Sequence, residues 1–262
     1  MKIFFDKYHG CGNDFIIINN LSNTFPKISS KTIKNLCDRN FGIGADGLIL
    51  INNSKKASFE MIYYNSDGKI STMCGNGGRC ALHYAWKNGI SEKKSSFLAC
   101  DGLHFGEVSN DFASISLQNI EEFKFIEDDV FINTGSPHLV KIFNDISEMD
   151  VFKISRKIQK LAPFKSNGIN VNFMSITNQS TIQLRTYERG VEDETLSCGT
   201  GAVAAAISLS IVSKKDLKKI LVKAMGGDLF VEFKNDNNKF YDIYLSGNVK
   251  KVFSGETNYE KN

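Results

Sequence analysis

The stretch "MCGNGGRC" at residues 73–80 decides the fold of this chain, because the stretch "SCGTGAVAAA" at 197–206 matches it in the second half. Each stretch places a cysteine directly before a glycine-rich turn. The segment that follows each turn is apolar around much of its circumference. A helix without a strongly polar face is enclosed by other elements. The two stretches therefore predict two buried helices, each beginning beside a cysteine.

The two cysteine motifs belong to a longer internal repeat. In the first half, "KYHGCGNDFIII" and "FEMIYYNSDG" precede the cysteine, and in the second half "FINTGSPHLVKI" and "TIQLRTYERG" do so. Cys74 follows Gly12 by 62 positions, and Cys198 follows Gly135 by 63. Self-similarity of this kind indicates units built on one plan. We therefore expect two similar domains.

Most of the remaining chain predicts short strands, with β-rich alternating segments such as "TIQLRTY" bounded by polar and glycine turns. Two amphipathic helices, "SKTIKNLCDRN" and "VFKISRKIQKL", occupy comparable places in the halves. We predict an α+β fold of two pseudo-symmetric domains, each an antiparallel β-barrel-like sheet wrapped around a central helix, with the active site in the interdomain cleft. The predicted domains are 1–117, on which the tail 248–262 packs, and 118–247.

Composition excludes several classes of protein. The chain has 262 residues, of which 42% are hydrophobic and 23% charged, as in ordinary globular proteins. Its formal charge of +3 is spread along the sequence, so we expect no nucleic-acid partner. No run approaches the roughly 18 apolar residues of a membrane span. The N-terminus reaches charge and glycine too early for a secretory signal, and we expect a cytoplasmic protein without a membrane partner.

The six cysteines are expected to be reduced, because a chain of this length builds a full core without disulfides. Cys37, Cys80 and Cys100 have apolar neighbours and are interpreted as small buried hydrophobic residues. None of the cysteine and histidine spacings is that of a structural zinc site, so we expect no metal.

The stretch "GIGADG" at 42–47 formally matches the dinucleotide-binding pattern G-x-G-x-x-G. That pattern requires a strand before it and a helix after it. Here a helix-like segment precedes and the strand-like "GLILIN" follows, so the context for nucleotide binding is missing. We interpret the stretch as a backbone turn near the site.

A cysteine before glycine at a helix start has a specific chemistry. The helix dipole and unpaired N–H groups favour the thiolate and bind anions such as a carboxylate. Two thiols on opposite sides of one carbon would invert a stereocentre, one removing the α-proton and the other returning a proton. The helix N-termini would stabilise the charge that grows on the carboxylate. No phosphate-binding context for pyridoxal phosphate is present, and we expect no cofactor.

The motifs together closely resemble the diaminopimelate epimerase family over nearly the whole chain. The resemblance implies a cofactor-independent two-thiol epimerase that interconverts LL- and meso-diaminopimelate in lysine and peptidoglycan precursor synthesis. It also implies a homodimer. The matching motifs are "HGCGNDF" at 9–15, "GIGADG" at 42–47, "NSDG" with "MCGNGGRC" at 65–80, "GSPH" at 135–138 and "ERGVEDETLSCGTGA" at 188–202.

The resemblance also assigns roles by position. Cys74 and Cys198 match the acid/base pair, and His138 and Glu188 match positions that support catalysis. The positions that match the cradle of the reacting carboxylate are Gly75, Asn76, Gly199 and Thr200. The further positions that match substrate-binding residues are Asn13, Asn65, Asn170, Glu188 and Arg189. Arg189 suits a carboxylate through its planar guanidinium, and Glu188 suits an ammonium group.

Three positions depart from the family pattern. Ser136 stands where asparagine is common, Gly47 stands where many members have glutamine, and "RGVEDET" is one residue longer than the common "RGxGET". We expect these changes to affect the pocket for the distal end of the substrate, since sites built on buried hydrogen bonds reject analogues strongly.

Two other functions remain open at this point. One is another two-cysteine racemase of the same fold, such as a proline or hydroxyproline epimerase, although that group has "CGHG" and a proline before its second cysteine where this chain has Asn76 and Ser197. The other is a non-catalytic thiol protein that senses redox state or binds metal, which would not need two glycine-rich anion sites.

Overall fold

The chain folds into two units that follow the internal repeat. The computed structural model describes residues 2–23, 25, 29–162 and 164–258. The first unit contains the described residues up to Ile115 and from Gly247 onward, and the second is Ser116–Ser246. The boundaries expected from the repeat, after residues 117 and 247, lie within two residues of these divisions.

The first unit alternates pairs of strands with helices. Its elements are β1 (Lys2–Gly10), β2 (Asn13–Asn20), α1 (Ser30–Cys37), β3 (Gly47–Asn52), β4 (Phe59–Asn65), α2 (Gly75–Lys87), β5 (Lys94–Ala99), β6 (Gly102–Ser109) and β7 (Phe112–Ser116). The long strand β16 (Lys239–Asn258) supplies its last strand.

The second unit repeats this order. Its elements are β8 (Phe123–Ile126), β9 (Asp129–Asn133), β10 (Pro137–Phe143), α3 (Val151–Ile158), β11 (Asn170–Asn178), β12 (Thr181–Glu188), β13 (Asp193–Thr195), α4 (Gly199–Ser213), β14 (Lys219–Ala224), β15 (Gly227–Asp236) and the first part of β16. All four predicted helices are present, and α2 and α4 begin directly after the two motif cysteines.

The strands of the first unit run in the order β1-β2-β3-β4-β5-β6-β7-β16, and β16 pairs back with β1, which closes a barrel. The second unit has the order β8-β9-β10-β11-β12-β14-β15-β16, with β13 beside β12. Helix α2 contacts β1, β2, β3, β4 and β6, and α4 contacts β9, β10, β11, β12, β14 and β15. The predicted fold class, a barrel-like sheet around a central helix in each unit, is confirmed.

The sheets are mixed, whereas the sequence predicted antiparallel sheets. The pairs β2–β3, β4–β5, β10–β11 and β12–β14 are parallel. Parallel neighbours need a long crossover connection, and each of these pairs is joined through one of the four helices. The strand periodicity in the sequence does not distinguish the two pairings, because it reports burial and not direction.

One strand is much longer than expected. The sequence predicted short strands, but β16 continues for 20 residues. Its pairing with β1 shifts register between Lys7 and Tyr8, which marks a bulge. Most of the second half of β16 is exposed, so its polar residues face solvent.

The central helices are enclosed by their sheets. Every residue of α4 from Gly199 to Ser210 is buried, and in α2 every residue from Gly75 to Ala85 is buried. Small residues permit this, since a Cβ added at Gly78 would meet the side chains of Met73 and Ile115. No helix among the described residues is long and apolar enough to cross a membrane.

The turn after β4 depends on Gly68, and we predict that Gly68→Ala destabilises the protein. Gly68 has φ +85°, and an added Cβ would collide with the backbone carbonyl of Ser30. Gly89 is a matched control, because it has φ +68° and nothing within 4 Å of the same position. Urea unfolding should show that Gly68→Ala lowers the free energy of unfolding by about 1–3 kcal/mol more than Gly89→Ala does. Equal losses would show that the contact with Ser30 is unimportant.

Candidate active site

The first motif cysteine caps the buried helix α2. Cys74 occupies the N-cap position, with φ −107° and ψ 116°, and its sulfur accepts a hydrogen bond from the Gly77 N–H at 3.4 Å. Gly75 and Asn76 are the first two helical residues, whose N–H groups make no intrahelical bonds. The sulfur therefore lies at the positive end of the helix, beside the N–H groups that the sequence assigned to a carboxylate.

Two amides beside Cys74 are held in fixed orientations. Asn13 donates from Nδ2 to the Asp46 carboxylate at 2.7 Å, so its Oδ1 faces the Cys74 sulfur at 3.6 Å. The same Oδ1 accepts from Asn76 Nδ2 at 3.2 Å. Asn76 Oδ1 in turn accepts from Arg79. A carboxylate only accepts hydrogen bonds and a guanidinium only donates them. Asp46 at one end and Arg79 at the other therefore determine the orientation of the Asn13 and Asn76 amides between them.

Arg79 is a buried cation in the first turn of α2. Its side chain is fully buried and also donates to the carbonyl of Gly75 at 3.4 Å. Within the part of the chain that the structure describes, Arg79 forms no ion pair with a carboxylate. An uncompensated buried positive charge favours negative charge nearby. Arg79 thus adds to the positive potential that would attract a substrate carboxylate at this end of the helix.

A charged cluster holds Asp46 in place. Arg39 binds both carboxylate oxygens of Asp14 at 3.1 and 2.8 Å and also binds Asp46 at 2.8 Å. Lys7 pairs with Asp14 at 2.7 Å. Burial raises the pKa of Asp14, but the hydrogen bonds from Arg39 and Lys7 outweigh it and lower the pKa to about 2. The "GIGADG" stretch therefore contributes a carboxylate that orients Asn13, together with the turn that the sequence predicted.

Asn65 and the departure at Gly47 lie opposite each other. Asn65 ends β4 and pairs with Gly47 across the β3–β4 ladder. A Cβ at Gly47 would collide with the ring of Tyr63 and the carbonyl of Tyr64. A glutamine there would need the neighbouring strand to move. The glycine in this chain is therefore explained by the space that Tyr63 occupies.

The second motif cysteine repeats the first. Cys198 is the N-cap of α4, with φ −118° and ψ 115°, and its sulfur accepts from the Gly201 N–H at 3.4 Å. Gly199 and Thr200 occupy the first two helical positions. The Thr200 hydroxyl lies 3.5 Å from the sulfur. The two cysteines thus have the same backbone setting and different side-chain neighbours.

His138 lies behind Cys198 as a neutral imidazole. Its Nε2 lies 3.1 Å from the Thr200 hydroxyl, and its Nδ1 lies 3.0 Å from Asn172 Nδ2. Burial, with a smaller effect from the positive charge of Arg189, lowers the pKa of His138 to about 3. His138 is therefore uncharged at neutral pH and contributes through hydrogen bonds.

Asn170 joins three of the predicted positions. Its Oδ1 accepts from the Arg189 N–H at 2.9 Å, and its Nδ2 donates to the Ser136 hydroxyl at 3.0 Å. Asn170 also pairs with His138 across the parallel strands β10 and β11. The serine that departs from the family pattern thus makes a hydrogen bond with a buried amide.

Glu188 and Arg189 lie at the end of β12. Glu188 accepts from the Thr195 hydroxyl at 2.7 Å, and one arm of Arg189 donates to the carbonyl of Asn167 at 2.9 Å. The longer connection to β13 forms a tight turn in which the N–H of Glu192, at φ +60°, donates to the carbonyl of Glu188 at 2.8 Å. The extra residue is absorbed in this turn.

The other cysteines differ from one another. Cys37 and Cys80 are buried, and burial raises the pKa of each thiol. Cys100 is exposed, contrary to the sequence interpretation, because the turn between β5 and β6 carries it to the surface. The described residues contain no group of three or more His, Cys, Asp or Glu side chains arranged to hold a metal ion.

Each unit therefore brings together most of its predicted residues. Cys74, Asn76 and Asn13 form one group, and Cys198, Thr200, His138, Asn170 and Arg189 form the other. Sequence reasoning missed residues that orient these groups. They are Asp46, Arg39 and Arg79 in the first unit and Asn172 and Thr186 in the second. Asp46, Arg39, Arg79 and Thr186 lay inside quoted stretches, but nothing in those stretches indicated their partners. The strand alternation that buries Asn172 gave no sign of its partners either.

Solved structures show which class of protein has this fold. The hydroxyproline epimerase from Agrobacterium vitis, solved with bound trans-4-hydroxy-L-proline, matches with a TM-score of 0.69 at 11% identity, covering 97% of this chain and 92% of that one. A phenazine biosynthesis protein of the PhzF family from Bacillus anthracis matches with a TM-score of 0.73 at 13% identity, covering 99% and 100%. This chain therefore shares its fold with a hydroxyproline epimerase and with a PhzF-family protein.

Sequence relatives identify the family within that class. The family model described as diaminopimelate epimerase matches residues 5–113 and 130–252. The diaminopimelate epimerase of Flavobacterium psychrophilum is 47% identical over 254 residues, covering 97% of this chain and 98% of that protein. That of Chlorobaculum tepidum is 39% identical over 256 residues, covering 94% and 98%. The chain belongs to the diaminopimelate epimerase family.

The lowered pKa of His138 predicts a pH dependence of stability. In the unfolded chain a histidine titrates near pH 6.5, and in the folded protein His138 stays neutral down to about pH 3. Between these values the unfolded state binds a proton that the folded state does not, so stability falls as the pH falls. Urea unfolding should show that, between pH 7 and pH 5, the free energy of unfolding falls by roughly 1–2 kcal/mol more in the wild type than in His138→Gln.

His83 serves as an internal reference in that comparison. Burial also lowers its pKa, but it is present in both proteins and its contribution cancels. Parallel stability curves for wild type and His138→Gln would contradict a buried neutral His138.

Proposed function

We propose that this chain is a diaminopimelate epimerase that interconverts LL-2,6-diaminopimelate and meso-diaminopimelate without a cofactor. One observation carries the proposal. Both units of this family member place a cysteine at the N-cap of a buried helix, and the first N–H groups of a helix suit an anion. The reaction is an isomerisation, and it supplies a precursor of lysine and peptidoglycan.

Catalysis moves one proton off the α-carbon and another onto it. A thiolate accepts the α-proton from one face, and a thiol on the other cysteine donates its proton to the opposite face. Electrons from the broken C–H bond pass into the carboxylate and return to the carbon when the new C–H bond forms. Gly75 and Asn76, with Gly199 and Thr200, offer N–H groups to the carboxylate, where one lost donor typically costs about 10²–10³ in rate.

The contacts of Cys74 support a protonated thiol there at rest. Asn13 Oδ1, which faces the Cys74 sulfur at 3.6 Å, is an acceptor because Asp46 holds the Nδ2 end of the same amide. An oxygen acceptor pairs with an S–H group and repels a thiolate. In the direction that begins from this state, we propose that Cys198 is the base and Cys74 the acid.

The polar residues at the strand ends suit the second amino acid centre of the substrate. Arg189 uses one arm for Asn167, and its remaining guanidinium N–H groups have no acceptor among the described residues. A planar guanidinium binds a carboxylate in a bidentate manner. We propose that, in the second unit, Arg189 binds the distal carboxylate, Glu188 receives the ammonium group and Asn170 supports them. Asn13 and Asn65 are the proposed substrate-binding residues of the first unit.

The expected homodimer and the cytoplasmic location stay predictions from the family resemblance and the sequence. The same holds for the absence of a cofactor and of a metal. The direct test of activity below is therefore run without added metal or cofactor.

Proton NMR of LL-diaminopimelate with the fully reduced protein in D₂O tests the function. We expect loss of the α-proton signal and appearance of the meso isomer. Cys74→Ala and Cys198→Ala should each reduce formation of the meso isomer by at least about 10²-fold, because each removes one of the two proton-transfer groups. Cys100→Ala is the matched control and should keep most of the activity, because it removes an exposed thiol that contacts the backbone of Met73 but is neither of the two motif cysteines.

Parallel samples separate the alternatives. Conversion of trans-4-hydroxyproline but not of diaminopimelate would replace the proposal with another two-cysteine epimerase. No exchange on either amino acid from folded, reduced protein would reject both, and stoichiometric zinc in that protein would favour the thiol-sensor function.

A further inference from the structure

A series of hydrogen-bonded, buried side chains runs from the strands of the second unit to the Cys198 sulfur. It consists of Thr186 on β12, Asn172 on β11, His138 on β10 and Thr200 in the first turn of α4. All four side chains are buried. The hydrogen bonds between them are 3.0 Å from Thr186 to Asn172, 3.0 Å from Asn172 to His138 and 3.1 Å from His138 to Thr200.

The orientation of the Asn172 amide is fixed by a neighbour that can only accept. Its Nδ2 donates to the backbone carbonyl of Leu139 at 3.2 Å. The Thr186 hydroxyl donates to its Oδ1 at 3.0 Å. A flipped amide would place two acceptors, Oδ1 and the carbonyl, against each other. Asn172 Nδ2 therefore points at His138 as a donor.

This orientation decides the tautomer of His138. Because Asn172 Nδ2 donates to Nδ1, that ring nitrogen carries the lone pair, and in a neutral imidazole the proton is then on Nε2. The Nε2–H group donates to the Thr200 oxygen at 3.1 Å. Asn170 Nδ2 is farther from Nε2, at 3.5 Å, and uses the Ser136 hydroxyl at 3.0 Å instead.

The Thr200 hydroxyl then has one proton to donate and one remaining neighbour that could accept it. Its oxygen accepts from His138, and its other neighbour is the Cys198 sulfur at 3.5 Å. The hydroxyl has no further hydrogen-bond partner among the described residues. Its O–H group therefore points at the sulfur, where it joins the Gly201 N–H as a second donor.

We propose that Asn172 is a positioning residue for the epimerase reaction. It holds His138 in the Nε2–H tautomer, so that the Thr200 hydroxyl donates to Cys198 and stabilises its thiolate. This inference rests on the proposed function for its role in catalysis, whereas the direction of the hydrogen bonds does not depend on any substrate. A hydrogen bond to the charged form of a group favours that form.

The ring of His138 on β10 is a titratable group of this hydrogen-bonded chain, and the positive charge of Arg189, which follows β12, acts on it. His138 is neutral throughout the pH range in which thiols titrate. A pH profile of Cys198 between pH 6 and 10 therefore reports on its hydrogen bonds without a protonation change in the ring.

The test measures the pH dependence of iodoacetamide alkylation of the substrate-free protein, resolved by peptide mass spectrometry. Thr200→Val removes the hydroxyl and keeps the shape, and Thr200→Ser keeps a hydroxyl as the matched control. We expect Thr200→Val to raise the alkylation midpoint of Cys198 by about one pH unit, a tenfold slower reaction below the midpoint. Thr200→Ser should stay near the wild-type midpoint, and the midpoint of Cys74 should not change in either variant.

Asn172→Asp tests the positioning role itself. A carboxylate beside Nδ1 accepts a hydrogen bond, which moves the ring proton to Nδ1 and makes Nε2 an acceptor for the Thr200 hydroxyl. Cys198 then loses its O–H donor, and its midpoint should rise. Because the new negative charge also acts on the thiolate, Asn172→Asp is introduced both into the wild type and into the Thr200→Val variant. The shift of the Cys198 midpoint should be smaller in the Thr200→Val background, where the hydroxyl is absent.

Two results would overturn the proposal. The first is that folded Thr200→Val has the same pH midpoint of Cys198 alkylation as the wild type. The second is that Asn172→Asp shifts this midpoint equally in the wild type and in Thr200→Val. If Asn172→Asp does not fold, Thr186→Val against Thr186→Ser replaces it, since only the first removes the donor to Asn172 Oδ1. These readouts need no substrate, so they are distinct from failure of the epimerase activity.

Discussion

The structure depends on one constraint, which is that two helix N-termini lie inside β-sheets and must be capped there. The first residues of α2 and α4 are buried, so water does not satisfy their N–H groups. Cysteine caps both helices, where Ser, Thr, Asp or Asn is usual. Its sulfur accepts the Gly77 or Gly201 N–H and leaves a reactive group at the positive end of the helix. The residue that caps each buried helix is thereby also the residue that we propose as the proton-transfer group.

The two halves apply this plan with different side-chain neighbours. Around Cys74, charged residues at both ends of an amide chain direct an oxygen acceptor at the sulfur. Around Cys198, neutral residues place the Thr200 hydroxyl against the sulfur, and we propose that it is a donor there. An acceptor favours the thiol and a donor favours the thiolate. Under the proposed function, a duplicated backbone with unequal hydrogen bonding would supply the acid and the base that an inversion needs.

The sequence predicted the features that repeat or alternate, including both central helices, the outer helices α1 and α3 and most strands. It did not predict the parallel pairs or the 20-residue β16, because periodicity reports burial and carries no information about strand direction or length of pairing. The two thiols and the N–H groups beside them belong to consecutive residues, so the sequence alone indicated them. Asp46 and Asn172, which orient their neighbours, contact residues more than 30 positions away in sequence, and nothing local marks such a contact.

The central claim is that each cysteine serves one face of the same α-carbon. Isotope exchange tests it most directly: each single-cysteine variant, Cys74→Ala and Cys198→Ala, is incubated in D₂O with LL- and with meso-diaminopimelate, and washout of the α-proton is followed without requiring inversion. The account predicts that each variant exchanges the α-proton of one isomer and that the two variants prefer opposite isomers. Exchange of the same isomer by both variants would contradict it.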